Sequence, residues 1–416
     1  MEVTEPLSVV HPRCCGLDVH KRQVQACLLV TSPAGTVQHE QRSFGTMSED
    51  LLALREWLLA ADCTCVAMES TGSFWKPIYN LLEGSFAVQV VNAAHIKQVP
   101  GRKTDVRDAA WIAGLLRHGL LRPSFIPERD QRELRDLTRY RISLVDERSA
   151  EVNRLQKVLE DANLKLAGIA TDILGKSGRE MLDRIVAGET DAAALAQSAR
   201  GRMKAKIPLL EAALAGTVND HHRWLLARML ARIDDLDAVL ADLSAQIAER
   251  LAPFEELLVL LDSIPGVGRQ TAEHLLAEIG VDMCRFPTAD HLASWAGMAP
   301  GNHESAGKRK SGKTRKGSRW LRATLVVAAQ AAGRTKDTAL GDRFRALAAR
   351  RGKKRAAVAV GHSILVAAYH ILSDRQPYDE RRQQPTLPRP ANPAHLVEQL
   401  RALGYEVTIQ RAAPAA

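Results

Sequence analysis

The sequence predicts an α/β domain followed by a long, almost wholly helical region. Three observations carry that prediction. Short strand-like runs punctuated by turn residues fill the first third of the chain. Sustained 3-4 spacing of Leu and Ile follows, with charges interleaved. Between residues 255 and 375, glycine-broken helical segments enclose a densely basic stretch.

Residues 13–127 supply the α/β part. Cys15–Val19 is a short apolar run, Gln23–Thr31 alternates and then turns apolar, and Thr36–Phe44 follows the turn Ser32-Pro33-Ala34-Gly35. Ser48–Ala61 has a helical period with Ser48 as its expected N-cap. Thr64–Met68 reads as a strand, Phe74–Leu82 as a helix, Ala87–Asn92 as a strand, and Thr104–His118 as a helix capped by Thr104. Three antiparallel strands, then helix–strand–helix–strand–helix, is the order of a ribonuclease-H-like sheet. In that order the first and fourth strands are neighbours and the last helix packs across them.

Four acidic residues converge in such a sheet. Asp18 falls on the first strand and Glu69 at the end of the fourth, while Asp105 and Asp108 are three apart and share a helix face. Singly, each reads as a cap or turn residue. Jointly they form the oxygen-rich set that two Mg²⁺ ions need for phosphoryl transfer. Arg102, Lys103 and Arg107 would contact phosphate or merely balance the acids.

Residues 128–254 form a helical connector. Leu134, Leu137, Leu144, Val152, Leu155 and Leu159 make one seam, and Ile233, Leu236, Leu240, Leu243, Ile247 and Leu251 another. Such seams predict long helices that pair as a coiled coil or line an ordinary bundle core. Gly168, Gly175, Gly178, Gly188, Gly201 and Pro208 break the intervening chain into shorter helices. Residues 255–375 make a third helical unit, and residues 376–416 a proline-rich tail with a short helix at His395–Leu403. Ala356–Leu372 is the most apolar stretch, but His362, Ser363 and His370 interrupt it, so a buried helix is expected rather than a membrane span.

Within the third unit, Ile264-Pro265-Gly266-Val267-Gly268 fits the turn of a helix-hairpin-helix, with one helix ending near Asp262 and the next starting near Thr271. Gly266 and Gly268 would let backbone amides approach a DNA phosphate; a plain αα-hairpin has the same outline. From Ser305 to Arg322 the chain carries eight Lys or Arg and no acid. Lys308, Arg309, Lys310, Lys313, Arg315, Lys316 and Arg319 suit a phosphate backbone, and Gly301, Gly307, Gly312 and Gly317 make this a flexible loop. Taken locally, Ser305, Ser311 and Ser318 are solvated loop residues.

Lys and Arg number 57 against 48 Asp and Glu, and the net charge of +9 favours a polyanionic partner. The six cysteines form no CxxC pair, which argues against zinc and for reduced, buried thiols. The N-terminus has no secretory pattern.

GLDVHK at the first strand, MESTGSFWKPI after the fourth, the KTDVRDA helix, the IPGVG hairpin and the basic loop ending in GSRWLR together resemble the DEDD transposases of the insertion-sequence-110 (116/902) group, from about Cys15 to Leu372. The resemblance implies a RuvC-like N-terminal domain, a coiled-coil connection and a C-terminal transposase domain. It implies bacterial, cytoplasmic, nucleoid-associated action on donor and target DNA. Mg²⁺, two ions per composite site, would be held by Asp18, Glu69, Asp105 and Asp108. Ser305 would be the nucleophile that links covalently to DNA. An element-encoded guide (bridge) RNA and a tetrameric synaptic complex are implied as well. Where the family more often has SGG, this chain has Ser305-Ala306-Gly307, so Ser311-Gly312-Lys313 stands as a second position for the nucleophile. The alternatives are a RuvC-like nuclease that activates water with the same carboxylates, and a non-catalytic nucleic-acid scaffold.

Overall fold

A computed structural model describes residues 8–70, 72–92, 108–301, 303–305, 308–380, 397, 400–402 and 404–408. The chain divides into two compact units, Met1–Glu128 and Arg129–Ala416. The expected short helix at His395–Leu403 and the expected cap Thr104 lie mostly or wholly outside the described residues.

The first unit is a five-stranded mixed sheet. Its strands are β1 (Arg13–Val19), β2 (Gln23–Thr31), β3 (Val37–Gly45), β4 (Cys65–Glu69) and β5 (Ala87–Val91), in the order β3-β2-β1-β4-β5. β1, β2 and β3 pair antiparallel, whereas β1–β4 and β4–β5 are parallel. The first and fourth strands are therefore neighbours, and the arrangement is compatible with a ribonuclease-H-like domain.

Alternation along the strands separates two cores. Cys15, Leu17, Val66 and Met68 face helices α1 (Ser48–Ala60) and α2 (Trp75–Leu82). Cys14, Cys65 and Ala67 face α3 (Asp108–Arg117) on the other side. Five of the six cysteines are buried and free. Burial pushes the Cys14 and Cys63 thiols up to about 12, so they are packing groups rather than nucleophiles. One local expectation changes. Met47, not Ser48, precedes the first turn of α1, because the Asp50 carboxylate reaches back to accept the Met47 amide at 3.3 Å.

Gly16 decides how closely α3 lies on β1. A Cβ there would stand 2.3 Å from the Ala109 carbonyl oxygen and 2.4 Å from the Ala113 nitrogen. Only hydrogen fits, so the start of α3 is held against the strand that carries Asp18.

The second unit is helical. Its frame is α4 (Arg129–Asp161), four short helices α5 (Leu166–Ile169), α6 (Lys176–Val186), α7 (Ala192–Ala196) and α8 (Ile207–Leu214), and then α9 (Asp220–Leu251). α4 and α9 pack antiparallel. Glu133 pairs with Arg250, Arg148 with Asp237, and Asp161 with His222. Of the expected seams, Leu134, Leu144, Leu155, Leu159, Ile233, Leu236, Ile247 and Leu251 are buried. The seams serve two separate cores at the two ends of the pair, and a charged stretch lies between.

The remaining helices are α10 (Glu255–Asp262), α11 (Arg269–Ile279), α12 (Ala289–Trp295), α13 (Arg319–Arg334), α14 (Ala339–Arg351) and α15 (Lys353–Asp374). By length and composition alone α15 could cross a membrane, but Val360, Ile364, Leu365, Ala368 and Ile371 are buried in the core of this unit. His362, Ser363 and His370 are thus polar breaks in a core helix.

Gly16→Ala is expected to cost about 1–3 kcal/mol through overpacking. Thermal unfolding followed by circular dichroism measures this, and a melting temperature equal to that of the unaltered protein would show that α3 does not press on β1.

Candidate active site and basic hairpin

Asp18 and Glu69 are placed by the parallel pairing of β1 and β4. Leu17 pairs with Met68, so the next residues, Asp18 and Glu69, lie side by side at the C-terminal ends of adjacent strands. Both share the alternation of Cys14, Cys65 and Ala67, which puts them on the sheet face that α3 covers. Asp108 opens α3. Asp105, with Arg102, Lys103 and Arg107, lies outside the described residues. Among the described residues, no three His, Cys, Asp or Glu groups stand close enough to hold a metal ion. Register and helix start thus place Asp18, Glu69 and Asp108 toward one edge and face of the sheet, but not close enough together to hold an ion. His20 lies beside them, its Nε2 at 3.1 Å from Asp18 Oδ2, with the carboxylate largely shielded. The sequence reading missed His20, although its place two residues past Asp18 was the available signal. In donor chemistry this all-oxygen set suits Mg²⁺.

Ser305 lies in the second unit. His303–Ser305 (β6) and Lys308–Ser311 (β7) form an antiparallel hairpin, where a flexible loop was expected. Glycines do exclude a helix here, but a two-residue connection containing Gly307 also permits a tight hairpin. Ser305 pairs with Lys308, so it is the last strand residue before the tip. Ser311 pairs with His303 at the base. Ala306 and Gly307 lie outside the described residues. Register thus separates the two candidate serines.

The ends of this excursion are pinched together. A Cβ on Gly317 would lie 2.3 Å from the Ala296 carbonyl, and one on Gly297 would lie 2.7 Å from the Gly317 nitrogen. The Gly301 amide donates to the Lys313 carbonyl at 3.1 Å. Arg322 Nη1 donates to Thr314 Oγ1 at 2.6 Å and to the Gly297 carbonyl at 3.4 Å, tying both arms. Lys308, Arg309 and Lys310 lie on β7; Lys313, Arg315, Lys316 and Arg319 are exposed beyond it. The Arg319 guanidinium lies 4.8 Å from the centre of the Trp320 ring.

Ser318 has a structural role. Its Oγ caps α13 by accepting the Leu321 amide and donates to Glu278 Oε2 at 3.1 Å. Glu278 is wholly buried on α11 and receives Arg139 from α4 in a bidentate pair at 2.6 and 3.0 Å. Arg141 pairs with buried Glu273 at 2.7 Å. Despite burial, the Arg139 hydrogen bonds and the neighbouring guanidinium groups hold the Glu278 carboxyl below the ordinary range. Between these pairs, burial holds the His274 imidazole down at about 4, against the pull of Glu278 and with the push of Arg139 and Arg141.

Gly266 is required for packing. At φ +87° a Cβ would stand 2.4 Å from the Ala328 carbonyl of α13, so the turn between α10 and α11 packs inward there. Gly268 is open, with nothing within 4 Å of its Cβ position.

Two family descriptions match the chain. The DEDD, IS110-type family described as "Transposase" matches residues 15–164, and "Transposase IS116/IS110/IS902 family" matches residues 259–344. Together they span more than half of the sequence. The transposase for insertion sequence element IS1111A of Coxiella burnetii is 24% identical over 321 residues, 76% of this chain and 79% of that one. A pilin gene-inverting protein of Moraxella bovis is 33% identical over 126 residues, 29% of this chain and 38% of that one. An uncharacterized 43.6 kDa protein of insertion element IS110 from Streptomyces coelicolor is 43% identical over 89 residues, 21% of each chain.

The buried ionic cluster makes stability sensitive to acid. His274 has a folded value near 4, below the ordinary 6.5, so the unfolded chain takes up that proton first. Its contribution is complete above about pH 6.5 and is lost as pH falls toward 4, on the order of 3 kcal/mol in all. Denaturant unfolding at about pH 7 and about pH 4 is expected to show that loss, and His274→Leu is expected to reduce it. An equal loss in the variant would contradict the assignment.

Proposed function

The chain belongs to the IS116/IS110/IS902 family of transposases, and on that premise we propose that it breaks and rejoins DNA with Ser305 as nucleophile and Asp18, Glu69, Asp105 and Asp108 as metal-binding acids. The observation that supports this best is the basic hairpin with its pinched base, whose register makes Ser305 the last strand residue before the tip and puts Lys308, Arg309 and Lys310 on the partner strand. A ribonuclease-H-like reading of the first unit is supported by the sheet order and by three carboxylates at one strand edge.

In the proposed reaction the Ser305 hydroxyl oxygen attacks the phosphorus of a DNA phosphodiester. The new bond is a serine phosphodiester, and the bond that breaks is to one sugar oxygen. The hydroxyl proton leaves Ser305 and a proton is taken up by the departing sugar oxygen, so charge and protons balance. An incoming sugar hydroxyl reverses these steps, which restores Ser305 and rejoins DNA without an external energy source. Lys308, Arg309, Lys310, Lys313, Arg315, Lys316 and Arg319 hold the phosphates on either side. Asp18, Glu69, Asp105 and Asp108 would bind two Mg²⁺ ions, which when bound lower the barrier to forming and expelling the oxyanions. Gly268 offers an open backbone at the start of α11 for a further phosphate, in the manner of a helix-hairpin-helix.

The proposal includes a guide RNA and a tetramer on DNA, both following from the family resemblance, with the +9 net charge in support of the RNA. Sequencing RNA that copurifies with the protein tests the guide; recovering none from the element's flanking non-coding region would remove it.

Strand exchange between donor and target DNA in vitro is expected to fall at least about 100-fold in Ser305→Ala, and similarly in Asp18→Asn and Glu69→Gln. Ser311→Ala is expected to retain exchange. Full exchange by Ser305→Ala would overturn the nucleophile, and full exchange by both carboxylate variants would overturn the metal site.

A further inference from the structure

A cleft of about 1030 Å³ opens between the base of the hairpin loop and the junction of α14 with α15. Its charged lining is cationic throughout: Lys313, Arg322, Arg343, Arg351, Lys354 and Arg355, with no Asp or Glu among the described residues that line it. The sequence has no acid from Arg343 to Ser373.

The junction is built to crowd these cations. α14 ends at Arg351 and α15 begins at Lys353, with only Gly352 between them at φ +82°, a conformation that favours glycine. The last-turn Arg350 and Arg351 therefore meet Lys353, Lys354 and Arg355 within one corner. Cations suit the end of α14 but oppose the dipole at the start of α15. No acid in that first turn offsets the cost. On the cleft wall, His362 keeps its Nδ1 out of solvent with no hydrogen-bond partner among the described residues. An anionic ligand would relieve the repulsion, and one with a hydroxyl or amine could also satisfy that nitrogen. Met298, Leu347 and Val358 add apolar wall that suits sugar and base.

We propose that this cleft binds the phosphodiester backbone of a single DNA strand flanking the phosphate addressed by Ser305. The proposal rests on the reading of Ser305 given above. It extends the DNA surface beyond the loop to Arg343, Arg351, Lys354 and Arg355. The volume is near that of a large ligand pocket, a size that a short run of linked nucleotides fills. Lys313 and Arg322 belong both to the cleft and to the base of the hairpin, so the strand would continue from one to the other.

The test uses the full chain carrying Ser305→Ala, so that no cutting intervenes, and a fluorescent single-stranded DNA of about 20 nucleotides. The added triple substitution Arg351→Gln, Lys354→Gln, Arg355→Gln is expected to weaken binding about 10-fold or more and to reduce the salt slope by about 2, at roughly 0.7 per lost phosphate contact. Unchanged affinity and slope would overturn the cleft, and a loss confined to single-stranded RNA of the same sequence would overturn DNA as its occupant. In the unsubstituted protein, bound DNA is expected to shield Lys354 from amine acylation; an unshielded Lys354 also overturns it. If Ser305 is not the nucleophile, strand exchange by Ser305→Ala reveals that, while the salt slope still reports on the cleft.

Discussion

The Glu278 carboxylate is the contact on which the helical unit turns. It sits out of solvent on α11, held from one side by Arg139 of α4 and from the other by Ser318 at the head of α13. A charge in that position is tolerated only because it is paired and fully hydrogen-bonded; removing one partner of such a pair costs on the order of 3–5 kcal/mol. Three helices far apart in sequence are thereby fixed against one another. The last of them follows the basic hairpin in the chain, so a buried ion pair anchors the helix on the hairpin's C-terminal side.

Preorganisation of that loop is the physical theme of the second unit. A mobile loop would have to be ordered each time it met DNA, at about 1–2 kcal/mol per residue. Here the Gly297–Gly317 crossing, the Arg322 ties and the Ser318 cap have already fixed its base. The first unit uses a different device for the same end. Gly16 removes a side chain so that α3 can lie on β1, which brings Asp108 to the strand edge where Asp18 and Glu69 end.

Much of this was legible in the sequence because it follows from periodicity. Alternation marked the strands to within a residue or two, and the order of elements implied that β1 and β4 would be neighbours. The 3-4 seams marked α4 and α9, whereas their antiparallel pairing and division between two cores depend on contacts that no local pattern encodes. The hairpin at His303–Ser311 was hidden because glycine and lysine have weak strand preference; it is closed from outside, by Arg322 and by the glycine crossing. At Gly266 the close approach to Ala328, 62 residues on, is a packing need that the sequence did not show. The sequence reading passed over Glu278, Arg139 and His274, since an ion pair spanning 139 residues leaves no local trace. The cations at Arg350–Arg355 were visible as a charge run, yet only the one-residue corner at Gly352 shows that they converge.

The central claim is that a serine of this hairpin, and not water, takes the phosphate during DNA breakage. Protease digestion of a DNA reaction stopped by denaturant, followed by mass spectrometry of nucleotide-bearing peptides, measures this directly. The account predicts a nucleotide esterified to Ser305. A nucleotide on Ser311 or on any other residue, or cut DNA with no peptide attached, would contradict it.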